Sequence, residues 1–280
     1  MTNITPCRGN SKYDIMKVMM ITGGSSGIGK ATAELFAANG YKVYELSRHG
    51  ESRDGIVHIN CDVTQAEDCR HAVEVVMETE HRLDVLISNA GMGISGAVEF
   101  TSERDWKHLM DVNFNGAVNI TQAALPHLRK TAQEQSALKP RVIFVSSMMA
   151  NFSIPFQAFY SASKFAINGF ALALRNEMRS LGVEVCSLMP GDVKTGFTNA
   201  RKDSVTGNDI YTHMEAAVAQ MAKDEQNGQS PEQLARKLLS LAEARCPEPT
   251  STVGLMYKAF LLLGRILPTR LIYWVVSKMY

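Results

Sequence analysis

The sequence lacks the patterns that define several large classes of protein. No window of the 280 residues contains eighteen uninterrupted apolar residues, so no membrane-spanning helix is expected. The residues before Met16 are polar and lack the apolar core of a signal peptide. The net charge is only +1, which leaves no bulk electrostatic case for binding nucleic acid.

Cysteine is scarce and scattered. None of the cysteines forms a Cys-x-x-Cys pair, and none is spaced from a histidine as in a metal site, so no metal is expected. We expect reduced, mostly buried thiols in a cytoplasmic chain. The five are Cys7, Cys61, Cys69, Cys186 and Cys246.

Short apolar runs alternate with helical patterns along an otherwise ordinary globular composition. This alternation of strand and helix patterns predicts an α/β fold, a single doubly wound parallel sheet with helices on both faces. Residues 1–15 are expected to be a loose extension and 16–254 the main domain. The predicted strands are 17–22, 42–47, 56–61, 83–88, 141–145, 183–188 and 250–253, and the predicted helices are 30–39, 66–81, 102–128 and about 231–244.

Glycines follow the first predicted strand at Gly23, Gly27 and Gly29. Such a turn lets a pyrophosphate approach the N-terminus of the next helix, where amides and the helix dipole favour an anion. The spacing differs from the common Gly-x-Gly-x-x-Gly, and Gly29-Lys30-Ala31 lacks the hydroxyl of a nucleoside-triphosphate loop. The alternative is a glycine-rich turn without a ligand.

The second strand ends at Ser47-Arg48 with no acid at its tip. A carboxylate there would bind a 2′-hydroxyl, whereas arginine suits a 2′-phosphate, so NADPH is favoured over NADH. Arg48 could equally be a solvated loop cation. After the third strand, Asp62 could contact adenine or, like Thr64, cap the following helix.

Tyr160 and Lys164 are four residues apart, which places them on one face of a helix. A nearby cation lowers a phenol pKa, but moving it from about 10 to about 7 needs roughly 4 kcal/mol. Lysine could supply part of this, and a positively charged cofactor ring could supply more. Without further evidence, the pair could equally be a surface tyrosine whose ring packs on the aliphatic part of the lysine side chain.

Several candidate residues follow successive strands. Asn89, Ser147 and Pro190 come after the fourth, fifth and sixth strands. Ligands in doubly wound sheets bind at the carboxyl ends of the strands, so these positions should converge. Asn113 lies inside the predicted helix 102–128, where asparagine is mildly unfavourable, and is either a structural hydrogen-bonding residue or part of the site.

These motifs, in this order, resemble the short-chain dehydrogenase/reductase family over roughly residues 17–254. The matching elements are Thr22 to Gly29, Asn89-Ala90-Gly91, Asn113, Ser147, Tyr160 to Lys164, and Pro190-Gly191 with Thr195.

The resemblance implies an NADP(H)-dependent oxidoreductase that interconverts a ketone or aldehyde and an alcohol. Tyr160 would be the general acid or base, and Lys164 would hold the nicotinamide ribose and lower the tyrosine pKa. Ser147 would bind the substrate oxygen, and Asn113 would hold a water that links Lys164 to solvent. The implied cofactor-binding residues are Gly23, Ser25, Ser26, Gly27, Ile28, Gly29, Arg48, Asp62, Val63, Asn89, Ala90, Gly91, Tyr160, Lys164, Pro190, Gly191, Val193 and Thr195.

The last third is less determined. Residues 196–230 are polar and irregular, and in the resembled family this region covers the substrate. Its side chains could line a cleft or anchor loops. They are Phe197, Ile210, Tyr211, Met214 and Met221.

The tail 255–280 predicts two amphipathic helices broken at Pro268. It could pack on the sheet or a second subunit, lie on a membrane surface, or roof the substrate cleft. Similar family tails favour a lipophilic substrate such as a steroid, retinoid or lipid. The resemblance also implies a homodimer or homotetramer, and the alternative function is an NADP-binding regulatory or scaffold protein without turnover.

Overall fold

The strands of the computed structural model form one parallel sheet and a small two-stranded one. The model describes residues 16–134, 138–203 and 206–279, and the predicted extension 1–15 lies outside them. The strands are β1 (Val18–Thr22), β2 (Lys42–Ser47), β3 (Ile56–Asn60), β4 (Val85–Ser88), β5 (Ile94–Ser95), β6 (Arg141–Val145), β7 (Glu184–Leu188), β8 (Lys202–Asp203) and β9 (Thr250–Ser251). The large sheet runs β3-β2-β1-β4-β6-β7-β9, and β5 pairs with β8. The predicted doubly wound architecture is confirmed.

The central strands are buried on both faces because helices cover both. The helices are α1 (Gly27–Ala38), α2 (Ala66–Glu80), α3 (Glu103–Met110), α4 (Gly116–Gln133), α5 (Ala158–Met178), α6 (Phe197–Ala200), α7 (Met214–Gln226), α8 (Pro231–Glu243), α9 (Leu255–Ile266) and α10 (Thr269–Met279). Val18 and Met20 of β1 face the core formed with α2, α4 and α5. Met19 and Ile21 face the core formed with α1 and α8. This alternation follows from the two-residue period of a strand.

The predicted helix 102–128 is wrong as a single helix. The chain forms α3, then a π-helical turn over Asp111–Asn115, then α4, which continues to Gln133. The turn places Asn113 in the interior, where its amide is fully used by other segments. Apolar periodicity continues through the turn, so the sequence pattern does not reveal it.

Two other local predictions need correction. The N-cap of α2 is Gln65, not Asp62 or Thr64, because Asp62 Oδ1 instead accepts hydrogen bonds from Thr64 N and Oγ1. The region 196–230, predicted to be irregular, contains the helix α7.

The tail forms the two predicted helices, α9 and α10, on either side of Pro268. Within the described part of the chain, neither these helices nor any other is long and apolar enough to span a bilayer.

Candidate active site

The glycine turn between β1 and α1 brings backbone segments into close contact. Gly23 and Gly27 have φ of 67° and 51°, a region that favours glycine. A Cβ on Gly29 would lie 2.1 Å from Gly23 O. No described side chain caps α1 at Ser26, so the first N–H groups of the helix remain available to an anion. The turn therefore fits the pyrophosphate predicted for Ser25 to Gly29.

A cleft of about 660 Å³ opens beside this turn. Arg48 at the end of β2 is exposed on its wall, and Asn60 Nδ2 donates to Arg48 O at 2.9 Å. Lys30 and Arg53 also line the cleft, so three cations surround the position predicted for a 2′-phosphate. Glu45 is fully buried, and its Oε1 lies 2.5 Å from His58 Nδ1 and accepts from Ser47 Oγ at 3.3 Å, so its carboxylate is engaged by other side chains rather than exposed to the cleft.

The end of β4 is joined to the glycine turn by hydrogen bonds. Thr22 Oγ1 accepts from the backbone N–H groups of Asn89 and Ala90, each at 3.0 Å. Asn89 Nδ2 donates to Thr22 O at 3.0 Å and to Gly23 O at 3.2 Å. A Cβ on Gly91 would lie 3.3 Å from Asn113 Oδ1 and 3.6 Å from Lys164 Nζ. This loop therefore links the predicted cofactor turn to the predicted catalytic residues.

Asp62 and Val63 lie at the end of β3, on the same edge of the sheet. Asp62 is held by Thr64, as described above, and Val63 O accepts from Asn119 Nδ2 at 2.9 Å. Val63 also packs against Gly116, where a Cβ would lie 2.6 Å from Val63 Cγ2. These contacts fix both residues in place, and their predicted contact with the adenine end of the cofactor stays a prediction.

Asn113 is fully buried at the centre of the π-helical turn. Its Oδ1 accepts from Met92 N at 2.8 Å, while its Nδ2 donates to Met92 O and Ser163 Oγ, both at 3.0 Å. The residue thus connects the loop after β4 to the helix α5. Its predicted role in holding a water stays a prediction.

Tyr160 and Lys164 lie on one face of α5, with Lys164 Nζ 5.5 Å from the centroid of the Tyr160 ring. Lys164 Nζ donates to Val145 O at 3.2 Å. Burial lowers the pKa of Lys164 to about 8. Burial raises the pKa of Tyr160 above its ordinary value, while Ser147 and Arg201 lower it. The lowering of the tyrosine pKa by Lys164 therefore stays a prediction.

The two serines after β6 have different partners. Ser146 Oγ donates to Lys164 O at 3.2 Å and is therefore a structural contact to α5. Ser147 Oγ accepts from Met149 N at 3.1 Å, and the Ser147 side chain lies beside that of Tyr160, whose pKa it lowers. Of the two, Ser147, the serine that the resemblance named, is the one that lies beside Tyr160.

The loop after β7 completes the site. Pro190 O accepts from Met148 N at 2.8 Å, and Val193 pairs with Gln229 across an isolated bridge. Thr195 Oγ1 accepts from Phe197 N at 3.1 Å. The Thr195 side chain lies 3.4 Å from the position of a Cβ on Gly27, which joins this loop to the glycine turn.

Tyr257 of α9 contacts this loop, and the sequence did not indicate it. Its hydroxyl accepts from Asp192 N at 3.0 Å and donates to Asp192 Oδ2 at 2.8 Å. A Cβ on Gly191 would lie 2.1 Å from the Tyr257 ring. The start of the tail therefore lies directly on the predicted cofactor loop.

A buried ion pair beside Tyr160 was also missed. Arg201 Nη1 lies 2.9 Å from Glu225 Oε1, and their charges act on the pKa of Tyr160 in opposite directions. The two residues are 24 positions apart on different elements, so no sequence pattern connects them.

The five apolar candidates of the substrate region divide into three groups. The Phe197 ring lies 5.8 Å from the Tyr160 ring and is part of the site. Met214 and Met221 are buried in α7. Ile210 is exposed, and Tyr211 donates to Glu99 Oε2 at 3.2 Å.

Comparison with known proteins assigns the family. The family model described as short chain dehydrogenase matches residues 17–206. The chain belongs to this family. It is therefore an oxidoreductase that acts on the CH–OH group of donors with NAD(P).

Individual relatives match nearly the whole chain. The chain is 38% identical over 242 residues to a 3-ketodihydrosphingosine reductase of Bacteroides thetaiotaomicron, covering 85% of this chain and 88% of the relative. It is 32% identical over 261 residues to a probable short-chain type dehydrogenase/reductase of Helicobacter pylori, covering 89% and 93%. The crystal structure of a short-chain dehydrogenase from Streptomyces avermitilis is similar, with a TM-score of 0.80, 26% identity and coverage of 91% and 93%.

Proposed function

We propose that the protein is a cytoplasmic, NADPH-dependent reductase of a ketone on a long-chain lipophilic substrate. The observation that carries this proposal is the convergence of Tyr160, Ser147 and Lys164 at the carboxyl edge of the sheet, with the apolar ring of Phe197 against Tyr160. Buried free thiols at Cys61, Cys69 and Cys186 suit a reducing compartment.

The roles of the chain's own groups follow from their chemistry. When bound, the reduced nicotinamide supplies the hydride. Tyr160 donates its phenolic proton to the carbonyl oxygen, and Ser147 stabilises the charge that develops there. Lys164 holds the nicotinamide ribose from its buried position, and Asn113 fixes the relative positions of α5 and the loop after β4.

The cofactor proposal rests on the three cations at the cleft. Arg48, Lys30 and Arg53 line this cleft with a single carboxylate, Glu51, while Glu45 of β2 is buried against His58. A guanidinium favours a phosphate group through charge-assisted hydrogen bonds. This arrangement supports NADPH over NADH.

Replacing Arg48 by alanine should weaken NADPH binding about 10-fold to 100-fold, because a hydrogen bond to a charged group is worth roughly 1.5–3 kcal/mol. NADH binding should change little, since NADH has no 2′-phosphate. Titration of both cofactors by fluorescence measures the two dissociation constants. Arg129→Ala, a change at an exposed arginine of α4, is the control. Equal losses for NADPH and NADH would make Arg48 a bystander.

The substrate class is supported by an apolar cleft of about 470 Å³ beside the start of α5, the helix that carries Tyr160. Its walls include Ile154, Pro155, Ala158 and Phe165, together with Val276 of α10. Such a surface suits an alkyl chain rather than a sugar or a small hydroxy acid. The similarity to a 3-ketodihydrosphingosine reductase adds a specific candidate, a 3-keto group on a long-chain amino alcohol.

A carbonyl panel with NADPH and NADH tests the function. It should contain 3-ketodihydrosphingosine, shorter-chain analogues, a steroid ketone and a retinaldehyde. We expect NADPH oxidation to be fastest with 3-ketodihydrosphingosine and kcat/KM to fall as the chain is shortened, because each buried methylene contributes about 0.8 kcal/mol. Preference for the steroid or retinoid would overturn the substrate class. Cofactor binding without turnover of any carbonyl would favour the regulatory alternative.

We also propose a homodimer or homotetramer formed through α5. Ala162, Phe165, Gly169 and Leu172 are exposed and recur at three and four residues along the outer face of this helix. A stripe of this kind suits packing against the same helix of a second copy.

A further inference from the structure

The first helix of the C-terminal tail, α9, is held on the protein by one narrow face. Tyr257, Leu261 and Gly264 recur at four and three residues along α9, the spacing of one side of a helix. Tyr257 bonds to Asp192, Leu261 packs on the cluster around Met148, and Gly264 lies against Phe152. The opposite side of α9 is therefore free of the protein body.

That opposite side is apolar and exposed. Leu262 and Ile266 are 58% and 67% exposed, and Trp274 of α10 is 60% exposed. The exposed apolar side chains of the tail are Leu255, Met256, Phe260, Leu262, Leu263, Ile266, Leu271, Tyr273, Trp274 and Val275. A concentration of exposed apolar side chains of this size on one short segment marks an interaction site.

The charge of the tail indicates which partner covers it. Residues 255–280 contain the cations Lys258, Arg265, Arg270 and Lys278 and no aspartate or glutamate. Lys258 and Arg265 are seven residues apart and thus lie on one flank of α9, at the edge of its apolar side. Amphipathic helices that lie in a bilayer interface combine an apolar face with lysine and arginine at its border. Trp274, which is 60% exposed, adds a ring type that is enriched at the membrane–water boundary.

We propose that α9 and α10 lie on an anionic lipid surface and attach the protein to it as a peripheral membrane protein. The apolar side chains enter the boundary between headgroups and acyl chains, and the four cations pair with anionic headgroups. Because α9 also contacts Gly191 and the apolar cluster beside Ser147, the bound surface is adjacent to the active site. This attachment requires no substrate and no cofactor.

Tryptophan fluorescence of the full chain with lipid vesicles tests the proposal. The chain has two tryptophans, so Trp106→Phe leaves Trp274 as the only indole. We expect its emission to shift to the blue and to be quenched by brominated acyl chains when vesicles of phosphatidylcholine and phosphatidylglycerol are added. Vesicles of phosphatidylcholine alone should bind more weakly, and salt should weaken binding to the anionic vesicles.

The charge and apolar contributions are separated by two variants. Lys258→Gln with Arg265→Gln should weaken binding to anionic vesicles about 25-fold, since each cation near such a surface contributes about 5-fold. The matched control, Arg129→Gln with Lys130→Gln on α4, removes the same charge from another exposed surface and should have no effect. Leu262→Gln with Ile266→Gln should weaken binding to both kinds of vesicle.

Two results would overturn the proposal. One is the absence of vesicle binding by the full chain. The other is a double variant, Leu262→Gln with Ile266→Gln, that sediments as a monomer where the wild type is an oligomer and still binds lipid as the wild type does. That result would assign the exposed face of α9 to contact with a second copy of the chain.

Discussion

Tyr160→Phe should reduce kcat by about 10² to 10⁴ while leaving the affinity for NADPH nearly unchanged, the range expected for loss of a general acid. The phenylalanine ring keeps the packing against Phe197 at the 5.8 Å centroid separation. It removes only the phenolic hydroxyl. The proton required by the reduced carbonyl oxygen then has to come from water.

Single-turnover kinetics and a fluorescence titration with NADPH separate the two effects. The matched control is Tyr41→Phe, which removes a phenolic hydroxyl just before β2. The Tyr41 hydroxyl has no hydrogen-bond partner among the described residues, so its loss should leave kcat and stability nearly unchanged. A Tyr160→Phe enzyme with a near wild-type rate would remove Tyr160 from the assigned role and leave the cofactor proposal intact.

The sheet was predictable because strands that are buried on both faces have a simple sequence pattern. Parallel strands such as β1 and β6 are short uninterrupted apolar runs, and their ends coincide with the glycine turn and with Ser147. The positions after each strand therefore converge for topological reasons, before any side-chain contact is known. The predicted strands agree with the observed ones to within two residues.

The breaks and additions in the helices were not predictable in the same way. The π-helical turn at Asn113 exists because its amide reaches Met92 and Ser163, which lie 21 and 50 positions away in the chain. Periodicity describes only neighbours within a few turns, so such a long-range cause leaves no local signal. The helix α7 was missed because its exposed side is polar, and only Met214, Ala217 and Met221 face the interior.

The same limit applies to two features of the candidate site. The Arg201–Glu225 pair and the contact of Tyr257 with Asp192 join elements 24 and 65 positions apart. The amphipathic pattern of the tail was visible, but the pattern could not show that Tyr257 lies on the loop after β7. Contacts of this kind depend on the path of the chain rather than on local residue type.

Lys164→Met should make the cofactor-free protein more stable at pH 7, by about 1 to 3 kcal/mol, while abolishing most of its activity. Methionine keeps an apolar stem of similar length and removes a buried amine whose pKa is lowered to about 8 by burial. The shift corresponds to roughly 3 kcal/mol, and loss of the hydrogen bond to Val145 O offsets about 1 kcal/mol of it. Urea unfolding at a series of pH values measures the difference.

The pH dependence of the stability difference between Lys164→Met and the wild type shows whether the buried amine causes it. Between pH 8 and about 10.5 the unfolded wild-type chain binds more protons at Lys164 than the folded chain does, so wild-type stability rises with pH across this window. The excess free energy of unfolding of Lys164→Met over the wild type should therefore be constant below pH 8 and shrink toward pH 10.5. Lys130→Met, at an exposed position of α4, is the matched control. A variant less stable than wild type by the same amount at every pH would contradict the prediction. A lysine that costs stability in this way is expected at a functional site, because packing alone would favour an apolar residue there.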